Sequence, residues 1–205
     1  YNKYITFLVD KGLAYYCYDS KEELLKAREK KSFSYNASTR HMFKNSLSLK
    51  KEESLSLMKK NKYVVRLLVK PNVELSMVDL LRGDIKVNSN NLDDKILMKE
   101  DGLPTYHFAN VIDDYLMKIT TIIRGEEWLP SLPIHKLIYD AFGWKMPDTV
   151  HLPLILNPSG SGKLSKRDAL KNNYSIFPIK WEKLDGLREK GLLANVQLAY
   201  VSQLG

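Results

Sequence analysis

Residues 96–156 alternate short apolar runs with helical signals, and this alternation narrows the possible folds more than any other stretch. Ile96-Leu97-Met98 reads as a short strand and Tyr106 to Tyr115 as a helix. Ile119-Thr120-Thr121-Ile122-Ile123 is wholly apolar or β-branched, as expected of a buried parallel strand. Ser131-Leu132-Pro133 opens a helix that reaches Phe142 and stops at Gly143. Val150 to Leu156 is the next expected strand. Strand, helix, strand in succession predicts an α/β fold.

Three segments at the ends of these elements carry candidate chemistry. Beyond Leu156 the run Asn157-Pro158-Ser159-Gly160-Ser161-Gly162 reads as a loop, followed by Lys163-Leu164-Ser165-Lys166-Arg167. Open α/β sheets bind ligands at the carboxyl ends of their strands. Closely spaced lysines there suit a polyphosphate, because each ammonium is a movable point charge. The plainer alternative is a solvated basic tract. Arg124-Gly125-Glu126-Glu127-Trp128 follows another strand; arginine can grip a carboxylate through two parallel hydrogen bonds, and Gly125 lets a ligand approach the backbone. Here the alternative is a structural Arg–Glu pair beside a core tryptophan. Tyr106 and Asn110, four apart, share a helix face and could reach one small ligand, unless Tyr106 packs and Asn110 caps.

The upstream part reads as a mixed α/β module with a basic surface. Ser20-Lys21-Glu22-Glu23 is a capping box that opens a helix to about Lys30. Residues 31–62 are polar, with cations interleaved among Tyr35, His41, Met42 and Phe43. Tyr63 to Val69 is β-rich and ends before Pro71, and Asp79 to Ile85 suggests a turn into another strand. A net charge of +8 points to a polyanionic partner, with nucleic acid foremost. Cys17 is the single cysteine, so no internal disulfide and no thiolate metal site is expected, and cytoplasmic residence follows as an expectation. No apolar run approaches the roughly 20 residues that span a bilayer. Tyr4 to Val9 reads as the middle of a helix ending at Gly12, and Leu192 to Leu204 as an amphipathic segment, so both ends look cut.

Taken together, Pro104 to Asp114, Ile123 to Trp128 and Lys163 to Arg167 closely resemble, in order and spacing, the glutamyl-tRNA synthetase family. The likeness extends upstream through Gly12 to Cys17 and Leu81-Arg82-Gly83, and downstream through Gly191 to Gly205. It implies the second half of a class I synthetase Rossmann-type nucleotide-binding fold, with an inserted α/β acceptor-binding domain and the start of a helical domain. The expected divisions are 1–19 (end of the first half of the nucleotide-binding fold), 20–95 (inserted domain), 96–170 (second half, with the lysine segment) and 171–205 (helical domain). The implied activity is ATP-dependent activation of glutamate to glutamyl-adenylate, then transfer to the 3′ end of tRNA-Glu. Lys163 and Lys166 would be catalytic. Glu127, Ile155, Lys163, Leu164, Ser165, Lys166 and Arg167 would meet ATP, carried with Mg2+. Tyr106, Asn110 and Arg124 would hold glutamate. Arg40, Lys44, Lys50 and Lys51 would face the tRNA acceptor stem, with Lys59, Lys60 and Lys62 as further phosphate contacts and Tyr35 or Arg40 near the terminal bases. A monomer is expected.

The chain departs from the family pattern in places. None of His41, His107, His135 and His151 lies in a His-x-Gly-His context, so the HIGH-type motif is missing. A fragment without that motif and without the anticodon-binding domain, inactive by itself, is therefore expected. The segment through Lys183 is hard to align, and no structural zinc is expected where some relatives use several cysteines. The alternative from another class is a non-catalytic tRNA-binding module of the same fold. The intact lysines and the Tyr106, Asn110 and Arg124 set argue for the enzyme.

Overall fold

The computed structural model describes residues 1–29, 33–60, 63–158 and 162–203. Lys30, Lys31, Lys62, Ser159 to Ser161, Leu204 and Gly205, which figure in the sequence expectations, lie outside the described residues, as does the side chain of Lys60. In chain order the elements are α1 (Asn2–Asp10), β1 (Ala14–Cys17), α2 (Lys21–Arg28), α3 (Lys51–Lys60), β2 (Val64–Leu67), β3 (Glu74–Asp79), β4 (Gly83–Asn88) and β5 (Ile96–Met98). There follow α4 (Tyr106–Leu116), β6 (Thr121–Gly125), α5 (Leu132–Phe142), β7 (Asp148–Leu152), α6 (Lys166–Asn172) and α7 (Ala194–Val201). The fold is mixed α/β, as the alternation predicts. One sheet has the order β1-β2-β5 and is antiparallel; the other has the order β4-β3-β7-β6. In the latter, β3 pairs with β7 in parallel, in register at Asp79 and Thr149.

The chain divides into two compact units, 1–122 with 130–149, and 123–129 with 150–205. In the first unit the helices sit on apolar stripes. Phe108, Val111 and Ile112 of α4 are buried at helical spacing, and Ile134, Ile138 and Tyr139 of α5 likewise. Each such side chain contributes about 1.5–3 kcal/mol of hydrophobic free energy. α5 closes where Gly143 takes φ +68, a left-handed turn that a side chain would strain. α2 begins with both bonds of its capping box: Glu23 N–H donates to Ser20 Oγ (3.1 Å) and Ser20 N–H to Glu23 Oε2 (2.8 Å).

Beside β1 and β2 the first unit holds a buried charge network. Asp94, fully buried, accepts from the Tyr15 hydroxyl (2.6 Å) and Val69 N–H (3.1 Å), and pairs with Arg40 Nε (3.1 Å). Arg66 donates to the Asp94 carbonyl (2.8 Å) and lies 3.9 Å over the Tyr35 ring.

The structure corrects three expectations. β6 is an outer strand of its sheet, and Thr121 and Ile123 are exposed, the latter by 65%. Its β-branched run reflects strand propensity rather than burial. α7 is not amphipathic: Val196, Leu198, Tyr200 and Val201 spread around it and are all exposed. The seventh strand ends at Leu152, where Pro153 interrupts it, not at Leu156.

Candidate active site

The second unit gathers Arg124, Glu127, Ile155 and the lysine segment, so each can be placed from its local structure. Arg124 is the penultimate residue of β6, and its Nε donates to Nε2 of His151 (2.9 Å), itself fully buried on β7. That bond puts the imidazole proton on Nδ1 and orients the guanidinium. Glu126, next along, accepts from Leu154 N–H (3.3 Å), which ties the turn after β6 to the residues after β7.

Glu127 forms an ion pair with Lys163, whose hydrogen bond holds the Glu127 carboxyl below the usual glutamate value. Gly125 makes this geometry possible. A Cβ there would stand 2.0 Å from Glu127 Oε2, so the carboxylate occupies space that any side chain would fill.

Lys163 pairs antiparallel with Leu156 beyond β7, where Leu164 N–H donates to Ile155 O (2.9 Å) and Asn157 N–H to Gly162 O (2.9 Å). The Ile155 carbonyl is therefore engaged by the chain itself, while its side chain is 62% exposed. Lys166 and Arg167 open α6, and both are exposed. Ser165, expected to meet ATP, is the N-cap of α6. Its hydroxyl accepts from Asp168 N–H (3.1 Å) and donates to Asp168 Oδ2 (2.6 Å), the bond that holds the Asp168 carboxyl below its usual value. The Ser-x-x-Asp spacing that signals this cap is visible in the sequence, as the Ser-x-x-Glu spacing is at Ser20. His151, the partner of Arg124, was given no role from the sequence; a histidine inside an otherwise apolar strand run was its signal.

Tyr106 and Asn110 belong to the first unit. Tyr106 is the first residue of α4, 46% exposed, with His107 and His135 beside its ring at 5.9 and 6.0 Å. Asn110 follows one turn later and does not cap. Its Nδ2 donates to Asp114 Oδ2 (2.9 Å), while its buried Oδ1 meets no partner among the described residues.

The basic candidates separate. Lys44, Lys50 and Lys51 are exposed, Lys44 sharing a surface pair with Glu23 (2.9 Å). Arg40 is spent on Asp94, with its side chain only 12% exposed. Tyr35, expected near RNA bases, is a core residue, 5% exposed and stacked on Phe43 at 4.8 Å. Among the described residues no group of three or more His, Cys, Asp or Glu side chains could hold a metal ion. Burial pushes the Cys17 thiol up to about 12, so it stays protonated at neutral pH. No helix of the described residues is long and apolar enough to cross a membrane.

Comparison with known proteins adds the family. The chain is 47% identical over 215 residues to the glutamate–tRNA ligase of Bacteroides thetaiotaomicron, covering 100% of the chain and 43% of that protein. It is likewise 47% identical over 220 residues to that of Amoebophilus asiaticus, again covering 100% and 43%. A crystal structure of a glutamate tRNA ligase from Elizabethkingia meningosepticum in complex with its amino acid superposes with a TM-score of 0.88 at 43% identity, over 100% of this chain and 43% of that one. The chain thus spans less than half the length of these relatives. The family profile described as "tRNA synthetases class I (E and Q), catalytic domain" matches residues 1–199, and the chain belongs to that family.

Proposed function

We propose that this chain carries ATP- and glutamate-handling residues of a glutamate–tRNA ligase. In the proposed reaction a glutamate carboxylate oxygen attacks the α-phosphorus of ATP and pyrophosphate leaves; the 3′-terminal ribose hydroxyl of tRNA-Glu then attacks the glutamyl carbonyl of the adenylate and AMP leaves. The observation that carries this reading is the pair of exposed lysines, Lys163 and Lys166, beyond β7 in the same unit as Arg124, within a matched synthetase catalytic domain.

Lys163 and Lys166 stabilise the polyphosphate as charge builds on the leaving pyrophosphate, an electrostatic role with no covalent step by the protein. Arg124, oriented by His151, binds a carboxylate of glutamate, and Tyr106 and Asn110 of the first unit are likewise assigned to glutamate. Glu127, Ile155, Leu164, Ser165 and Arg167 are assigned to ATP, the serine by fixing α6 rather than by touching phosphate. The described residues hold no carboxylate cluster for Mg2+, so an ion accompanying ATP is left to the phosphates and no step is assigned to it. Lys44, Lys50 and Lys51 are the proposed phosphate contacts of residues 20–95 with the acceptor stem; residues 1–19 and 96–170 form the nucleotide-binding part and 171–205 begin a helical domain. The protein is proposed to act as a cytoplasmic monomer.

ATP–pyrophosphate exchange, measured with tRNA on the product of the full reading frame encoding this chain, tests the reading. Exchange should depend on glutamate, and Arg124→Ala should raise the KM for glutamate at least about tenfold, the loss expected for a charged hydrogen-bonded pair. Exchange supported equally by other amino acids would overturn it.

A further inference from the structure

The stretch after α6 resembles no part of the expected site, yet it delivers an aromatic ring to one of the two lysines. Trp181 lies 41% exposed, and Lys166 Nζ stands 4.7 Å from the centroid of its ring. The ring is held from several sides. Phe177 stacks on it (5.2 Å, 20° between planes), and Trp181 and Leu184 exchange both backbone hydrogen bonds, N–H to O at 3.0 and 2.9 Å, around a tight turn. Leu184 is buried at 3%, and a Cβ at Gly186 would stand 2.2 Å from the Ile179 backbone, so the turn is pressed against the chain before it. Tyr174 N–H, donating to Ala169 O (2.9 Å), anchors the start of the stretch to α6.

We propose that Trp181 is a positioning residue for Lys166: its face takes the ammonium and holds the lysine in place before the polyphosphate arrives. The proposal rests on the assignment of Lys166 to the ATP phosphates. A lysine on a four-carbon stem loses rotamer freedom whenever it is held at one place. A ring quadrupole offsets part of that loss and still leaves the ammonium donors free for phosphate oxygens. Glu127 gives Lys163 a carboxylate instead, so the two lysines are held by different chemistry.

Two measurements on the product of the full reading frame test the proposal. In the first, Lys166 is acetylated without ATP by a limiting amine reagent and counted by peptide mass spectrometry, with Lys180 and Lys183 as references. Trp181→Leu, which keeps an apolar body but no aromatic face, should speed Lys166 labelling about threefold or more, and Trp181→Phe should stay within about twofold of the native chain. Equal labelling in all three proteins overturns the proposal, and so does a rise shared by Lys180 and Lys183, which marks loss of the turn itself. In the second, Trp181→Leu should lower kcat/KM for ATP in exchange about three- to tenfold, leave the KM for glutamate unchanged, and add nothing in a Lys166→Ala background. Losses that multiply with Lys166→Ala overturn it. Full exchange in Lys166→Ala alone would instead remove the functional reading on which the proposal rests, while the labelling result would still decide whether the ring holds the lysine.

Discussion

Around Asp94 in the first unit and around Glu127 in the second, carboxylates meet cations, yet Asp94 is fully buried whereas Lys163 on Glu127 is 57% exposed. Asp94 has spent its capacity on Tyr15, Arg40 and Val69, and Arg40 is fixed as a consequence. The Glu127–Lys163 pair stays in reach of water and of any incoming anion. Burial turns a charge into scaffold, because leaving a buried partner unpaired costs several kcal/mol. Exposure keeps a charge available, because a surface pair contributes little to stability and can be exchanged. The same contrast explains why Arg40 and Tyr35, chemically plausible RNA contacts, are interior residues, while Lys44, Lys50 and Lys51 remain outside.

The comparison breaks most readily at Asp94. Asp94→Ala strands Arg40 and the Tyr15 hydroxyl in the interior and should cost about 3–5 kcal/mol in urea unfolding. Cys17 reports the same event. Its thiol, held protonated by burial, should resist iodoacetamide in the native chain and react readily in the variant. A loss below about 1 kcal/mol, with Cys17 still protected, would mean that the buried network is dispensable.

At the exposed pair the expected effect on stability is far smaller. Gly125→Ala drives a Cβ into the Glu127 carboxylate, the far end of a flexible side chain that can swing aside. The unfolding midpoint should hardly move, while the ATP dependence of exchange shifts because Lys163 loses its partner. A large drop in midpoint with unchanged ATP dependence would put Glu127 on the structural side of the comparison.

Helix existence was legible in the sequence where apolar spacing and caps coincide, as in α4 and α5 and at the Ser20 box. α3 was not, because its interior-facing anchor is Ser54, which bonds to the Tyr18 hydroxyl (2.7 Å), and its sequence shows little apolar stripe. The burial of β6 was misjudged because β-branched residues favour strands on open and covered faces alike. Within the candidate site, the lysines and Arg124 were legible as charges at strand ends. The pairings that hold them, Arg124 with His151, Lys163 with Glu127 and Lys166 with Trp181, were not, since each joins residues well separated in the chain and local periodicity is silent about it. Ser165 entered only through the family resemblance, and its role as the cap of α6 was legible in the residue three positions on.

Lys166→Ala tests the central distinction most directly, with ATP–pyrophosphate exchange and urea unfolding measured side by side on the product of the full reading frame. The expected result is an unfolding midpoint equal to that of the unaltered protein and exchange reduced by about a hundredfold or more, as for removal of a charge-stabilising donor. Full exchange, or a loss of exchange matched by a loss of stability, would contradict it.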